Sequence, residues 1–241
     1  RRFVEEEVKP HGEAWEKAVS AWKKLYSDLP GSVVRKRELA RAYQFQGGAL
    51  MRVTKREEAR AALLIAYQMH KELSLIPGEA EEHMISADVG MLANLSAQLK
   101  RYEEAIPLFQ EQLRLREIVL ARDPGNNNAR MGIAGTMDRI GYAYVRMEKP
   151  AEGLPYLERS LAMQREVYAK DPMNVLVNRE MLYVLSDLTN ASGALKRRDK
   201  MCGYAREAAQ IMTGPIAKTR ETPTDTAKKA YVKKIVEGCG R

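Results

Sequence analysis

Few residues in this chain combine the type and spacing that catalysis or metal binding requires. Histidine occurs only at His11, His70 and His83, and none stands in the His-Glu-x-x-His spacing that aims two imidazoles from one helix face at a zinc ion. His70 with Glu72 and His83 with Glu82 could approach one another across a turn at Pro77. A metal needs three or four convergent ligands, so neither a metal site nor a cofactor is expected. Two cysteines, Cys202 and Cys239, are too few for a disulfide framework or a zinc site and are expected to be ordinary thiols. Cys202 also lacks a neighbouring histidine to activate it as a nucleophile. Glu57-Glu58 and Glu103-Glu104 resemble acid–base pairs, but adjacent helical side chains diverge by about 100°. Negative charge in a first helical turn is instead stabilising by roughly 0.3–1 kcal/mol. The chain has no Gly-x-Ser-x-Gly elbow and no phosphate-binding Gly-x-x-x-x-Gly-Lys loop. Gly132, Gly135 and Gly141 read as close-approach points within a helix. The chain is therefore expected not to be an enzyme.

What positions the remaining side chains is a repeat. Leu29-Pro30-Gly31, Ile76-Pro77-Gly78, Asp123-Pro124-Gly125 and Asp171-Pro172-Met173 place prolines 47, 47 and 48 residues apart. Four residues before each proline stands a large apolar side chain: Tyr26, Leu73, Leu120 and Tyr168. Two residues after come Ser32, Glu79, Asn126 and Asn174, of which three are good N-caps. Polar breakpoints at 53–56, 98–101, 147–150 and 195–198 halve each unit. Ile133, Met137, Ile140, Tyr144 and Met147 step by four, three, four and three, and Leu154, Leu157, Leu161 and Tyr168 form a second stripe. Each unit thus predicts a helical hairpin, with Pro107 and Pro155 tolerated in a first turn whose amides have no intrahelical partner.

The paired helices are expected at 32–52 with 56–74, 79–99 with 102–121, 127–147 with 151–169, and 175–195 with 199–212. A leading helical segment, interrupted near Pro10, covers 1–29; the repeats cover 30–212. A linker and basic cap helix fill 213–241, the helix starting at Pro223-Thr224-Asp225, presenting Ala227, Tyr231 and Ile235 on one face, and stopping near Gly238. The fold class is all-α. Low glycine and proline content and 7% aromatic residues agree with long helices rather than strands.

Met137, Ile140, Gly141 and Tyr144, followed by Gly153, Leu157 and Ser160, resemble the tetratricopeptide repeat (TPR). That resemblance implies a right-handed α-α superhelix whose concave groove holds a protein or peptide segment. The units here are about 13 residues longer than the ordinary 34-residue repeat, and a HEAT-like or other long-helix array is the alternative. Transferring the repeat's groove-facing positions gives Arg41, Gln44, Arg52, Met91, Gln98, Asp138, Tyr142, Arg146, Ser186 and Asn190 as partner-binding residues. Gln44, Gly48, Leu95 and Asp138 depart from the Lys and Asn of the carboxylate clamp, so capture of a C-terminal carboxylate is not implied. Leu115-Arg116-Glu117 running into Ala121-Arg122-Asp123-Pro124-Gly125-Asn126 is similar to repeat regions attached to bacterial serine/threonine protein kinases. This implies an interaction module of a larger signalling protein, because kinase motifs are absent from these residues.

Charge adds a second reading. The net charge is +8, and residues 196–241 carry 12 basic and five acidic side chains. Lys196, Arg197 and Arg198, with Lys228, Lys229, Lys233 and Lys234, form a basic patch suited to phosphates, acidic peptides or an anionic membrane surface. A nucleic-acid-binding repeat protein is therefore the alternative function. Tyr231 alone among those lysines gives little for base stacking. No run approaches the 18 apolar residues of a membrane span. A cytoplasmic location is expected, with the periplasmic side of a membrane-anchored parent as the alternative.

Overall fold

The computed structural model describes residues 9–78 and 81–240. The chain divides into two compact units, Arg1–Val119 and Leu120–Arg241. The first contains α1 (Lys9–Asp28), α2 (Val33–Arg52), α3 (Arg56–Ser74), α4 (Glu82–Gln98) and most of α5 (Tyr102–Arg122). In the second are α6 (Asn127–Arg146), α7 (Pro150–Lys170), α8 (Val175–Ala194), α9 (Arg198–Met212), a 3-10 turn at Pro215–Lys218, and α10 (Pro223–Cys239). No strand occurs among the described residues. The boundaries follow the expected hairpins closely, except that α4 begins at Glu82; Glu79 and residues 1–8 lie outside the described residues.

Local chemistry explains both breaks in each hairpin. Ser32, Asn126 and Asn174 cap α2, α6 and α8 by accepting backbone N–H bonds through their side-chain oxygens. At the inner break the helix ends in a left-handed residue: Thr54, Lys100, Glu148 and Lys196 have φ of 63°, 60°, 61° and 57°. After α2, the Thr54 and Lys55 amides donate to the Met51 and Leu50 carbonyls at 3.2 and 3.0 Å. The same paired closure recurs after α4, α6 and α8. Glycine usually fills such a position, and a β-branched threonine suits it least. Thr54→Gly is expected to stabilise the first unit by about 1 kcal/mol, read as a higher denaturation midpoint; an unchanged or lower midpoint contradicts it.

The predicted stripes are buried. Ile133, Met137, Ile140, Leu154, Leu157 and Leu161 are all within the core of the second unit, with Tyr144, Met147 and Tyr168 half-buried. Gly141 and Gly153 mark the crossing of α6 and α7: a Cβ on Gly153 would lie 2.6 Å from the Gly141 carbonyl oxygen. Gly135 has no comparable neighbour, so of the three glycines only Gly141 is shown to be a close-approach point. In the first unit, Leu39, Tyr43 and Leu50 of α2 join Leu63 and Ala66 of α3 and Leu92 and Leu95 of α4.

The cysteines require a correction. Cys202 of α9 and Cys239 at the end of α10 form a disulfide, with Cα atoms 5.8 Å apart across 37 residues of sequence. Their pairing depends on α10 folding back along α9, a tertiary fact that counting cysteines does not reach.

Candidate functional site

Each unit carries its own hollow on the side where the first helices of the hairpins lie. In the first, a cavity of about 490 Å³ is lined by Trp15, Gln44, Phe45, Gly48, Ala49, Arg52 and Met91. Helical spacing creates it: Gln44, Gly48 and Arg52 stand one turn apart on α2, and Gly48 leaves room for the Met91 methyl 3.1 Å from where its Cβ would be. Trp15 stacks on Phe45 with ring centroids 4.6 Å apart and planes 13° from parallel. Phe45 is still 52% exposed. The wall is therefore apolar and aromatic, edged by the Arg52 guanidinium.

Beneath this hollow lies a buried polar chain. The Gln44 amide donates to Asp88 Oδ1 at 2.6 Å, and His70 Nδ1 lies 2.6 Å from Asp88 Oδ2. Burial raises the Asp88 carboxyl above its ordinary range, against the hydrogen bonds from His70 and Gln44 that favour its charged form. His70 thus pairs with Asp88 on the next helix rather than approaching Glu82 and His83. Both ring and carboxylate are fully enclosed, so this is a structural link between α2, α3 and α4. Among the described residues, no group of three or more His, Cys, Asp or Glu is placed to hold a metal.

In the second unit two adjoining hollows share Asn190. One, about 420 Å³, is lined by Tyr142, Ser186, Asp187, Asn190, Lys228 and Tyr231 together with Pro223, Thr224 and Ala227; the other, about 460 Å³, by Val145, Arg146, Glu148, Pro150, Asn190 and Ala194. Tyr142 and Arg146 are one turn apart on α6, as are Ser186, Asn190 and Ala194 on α8. Behind them Asp138 is buried, with no hydrogen-bond partner for Oδ1 among the described residues. Burial, and then the neighbouring Asp187 charge, push its carboxyl up to about 8. Lys228 binds both Asp187 oxygens at 2.7 Å.

The sequence-predicted positions thus fall into three groups. Gln44, Arg52, Met91, Tyr142, Arg146, Ser186 and Asn190 line the hollows. Arg41 pairs with Glu38 at 2.8 Å, and exposed Gln98 ends α4 without lining a hollow. Asp138, buried to the same extent as Gln44, lines none of the three hollows described above. The basic patch is divided as well. Lys196 forms the left-handed turn, Arg197 is exposed, and Arg198 donates to the Gly238 carbonyl at 3.0 Å. Lys229 pairs with Glu221, Lys233 and Lys234 face solvent, and Lys228 is turned inward. Trp15 and Phe45 were not anticipated; an aromatic one residue off the buried Gln44 position was the available signal.

Residues 90–124 and 133–172 match the tetratricopeptide repeat. The second segment holds the Gly141–Gly153 crossing, where Leu157 is buried and Ser160 Oγ donates to the Ala134 carbonyl at 2.8 Å. BtubC (BKLC) from P. vanneervenii is similar in structure, with a TM-score of 0.67 at 11% identity over 97% of this chain and 85% of that one. A protein of nearly identical TPR-like repeats from Podosopora anserina, assigned to kinesin light chain, aligns with a TM-score of 0.57 at 21% identity, covering 92% of this chain and 93% of that one. No curated protein sequence matches. At these identities the likeness gives the fold, all-α with TPR-like hairpins. No described helix is long and apolar enough to cross a membrane.

Proposed function

We propose that the chain is a non-catalytic scaffold that holds a protein or peptide segment against the inner helices of its hairpins. The observation carrying this reading is the convergence of Gln44, Arg52 and Met91, from two successive inner helices, on one hollow walled by Trp15 and Phe45. Helices preorganise these groups, so a partner gains several contacts while the scaffold loses little freedom. Arg52 at the rim and the apolar wall suit a segment with an apolar or aromatic anchor beside an acidic residue. In the second unit, Tyr142, Asn190 and Arg146 offer stacking, amide and guanidinium contacts along one line.

Similarity to repeats attached to bacterial kinases supports a place within a larger signalling protein, where this part would recruit substrates or regulators. The Cys202–Cys239 disulfide favours the periplasmic alternative over the cytoplasm, because reducing compartments open such bonds. The nucleic-acid reading loses support as Lys228 and Lys229 are neutralised by Asp187 and Glu221.

Selection of a displayed random-peptide library on the full chain tests the proposal. Enriched peptides are expected to lose at least tenfold in affinity on Arg52→Glu or Phe45→Ala, or on Tyr142→Ala or Asn190→Ala, and to be unaffected by Glu104→Ala on an outer helix. No enrichment, or binding indifferent to all four inner-face changes, would move the site elsewhere or remove it.

A further inference from the structure

The four lysines of α10 do not share one environment. Lys233 and Lys234 are exposed and Lys229 meets Glu221 at 2.8 Å. Against a Lys229 side chain that is 13% exposed, that of Lys228 is 17% exposed and stands apart by its partners. Its ammonium donates to both Asp187 oxygens at 2.7 Å and to the Tyr183 carbonyl at 3.3 Å. It also lies 5.4 Å from the Tyr183 ring centroid and 5.9 Å from that of Tyr142. A carboxylate, a carbonyl and two aromatic rings satisfy all that an ammonium head requires. Asp138 and Glu180 also lie close enough to feel the Lys228 charge, although burial favours the protonated form of both. The receptor is built by α6 and α8, whereas its occupant comes from α10.

Beyond Lys228, few side chains hold α10: Val232 joins the core, Tyr231 and Val236 pack half-buried against it, and Arg179 pairs with Asp225 at 3.3 Å. Of the helix's 17 residues only Asp225 and Val232 are buried, against the 12 that α8 buries. Its first turn is fixed by a capping box in which Thr222 N–H donates to Asp225 Oδ2 at 2.8 Å and the Asp225 amide donates back to Thr222 Oγ1 at 3.1 Å. The Tyr183 hydroxyl donates to the same Asp225 at 2.8 Å. Its last turn is held by the Cys202–Cys239 bond. Cys239 is half-buried and is followed by exposed Gly240, while Cys202 is buried.

We propose that α10 is a latched internal occupant of the second unit, and that the Asp187–Tyr183–Tyr142 site it fills accepts the lysine of a basic peptide once the disulfide is opened. This deepens the peptide-binding reading for the second unit and rests on it. Charge complementarity selects the occupant: the site is acidic and aromatic, and the group now in it is an ammonium. Opening requires a dithiol. One thiolate attacks the Cys239 sulfur and expels the Cys202 thiolate; the second thiol then displaces Cys239 and closes a disulfide within the reagent. Two electrons and two protons pass to the cysteine pair.

The test compares the oxidised full chain with the dithiothreitol-reduced one. Hydrogen exchange of α10 amides is expected to quicken on the order of 100-fold on reduction, while α8 stays protected. A fluorescent tetralysine peptide is expected to bind the reduced chain and not the oxidised one; tetraglutamate is expected to bind neither. Asp187→Asn in the reduced chain should weaken tetralysine at least tenfold. Tyr142→Leu, at an exposed position, should weaken it about threefold and serves where the first variant unfolds. Unchanged α10 exchange, tetralysine binding equal in both redox states, binding indifferent to both variants, or a shift to a dimer in which α10 fills a second copy would each overturn the proposal. Library peptides captured only through Phe45 and Arg52 would leave the general binding reading standing while this one fell.

Discussion

Gly153→Ala is expected to destabilise the second unit by about 3 kcal/mol, although alanine is the better helix former by up to ~1 kcal/mol. The new methyl would stand 2.6 Å from the Gly141 carbonyl oxygen and 3.1 Å from the Tyr144 Cβ. Neither neighbour can rotate away, so α6 and α7 must move apart. That movement opens the contacts around Leu157 and Leu161, both buried. Gly141→Ala meets the same obstacle from the other side, with the Gly153 carbonyl oxygen at 2.9 Å and Leu157 Cγ at 2.5 Å. Gly135→Ala is the control: its methyl would find only the Arg139 guanidinium, 3.6 Å away, and should stabilise slightly. Denaturation midpoints of the three variants decide the matter. If Gly153→Ala were as stable as Gly135→Ala, the close crossing of α6 and α7 would not exist in solution.

The same glycines show what was legible in advance. Gly141 and Gly153 could be read because both the stripe Met137–Ile140–Tyr144 and the small–large–small run Gly153–Leu157–Ser160 are local patterns within single helices. Helix starts were legible for a similar reason: Ser32, Asn126 and Asn174 cap their own first turns. Thr54, Lys100, Glu148 and Lys196 marked the inner breaks by polarity alone, without the glycine that usually signals a left-handed residue. Groove positions were legible only through helical phase, which places Gln44 and Arg52 on one face but is silent on depth. Hence phase alone does not foretell that Gln44, Asp138 and Ser186 are all buried. Contacts between distant helices left no trace in the sequence. His70 finds Asp88 rather than Glu82, Cys202 finds Cys239, and Lys228 finds Asp187 41 residues away. Each requires knowing which helices are neighbours before the chemistry of the pair can be asked about.

Asp138→Asn is expected to flatten the pH dependence of stability. Burial first, and the Asp187 charge second, push the Asp138 carboxyl up to about 8 from an ordinary 3.8. Lys228 and Arg139 oppose that rise, and Glu180 adds to it. Between these two values the folded protein keeps a proton that the unfolded chain releases. Folding therefore takes up a proton, and stability must fall as pH rises through this window, by at most about 1.4 kcal/mol per pH unit for one proton. Below about pH 4 both states hold the proton and the effect vanishes; above about 8 it levels off. The amide introduced by the substitution has nothing to release, so the variant should match the parent near pH 4 and exceed it progressively towards pH 8. Asp88, Glu180 and Asp187 are raised by burial too, and the decline that survives the substitution belongs to them. Lys228→Met should act oppositely: with the opposing cation gone, Asp138 and Asp187 hold their protons to higher pH and the decline steepens. Urea denaturation at unit intervals from pH 4 to 8 reads all three slopes. Parallel slopes for the parent and Asp138→Asn would mean that the Asp138 carboxyl is ionised in the folded protein and is not enclosed as the geometry has it.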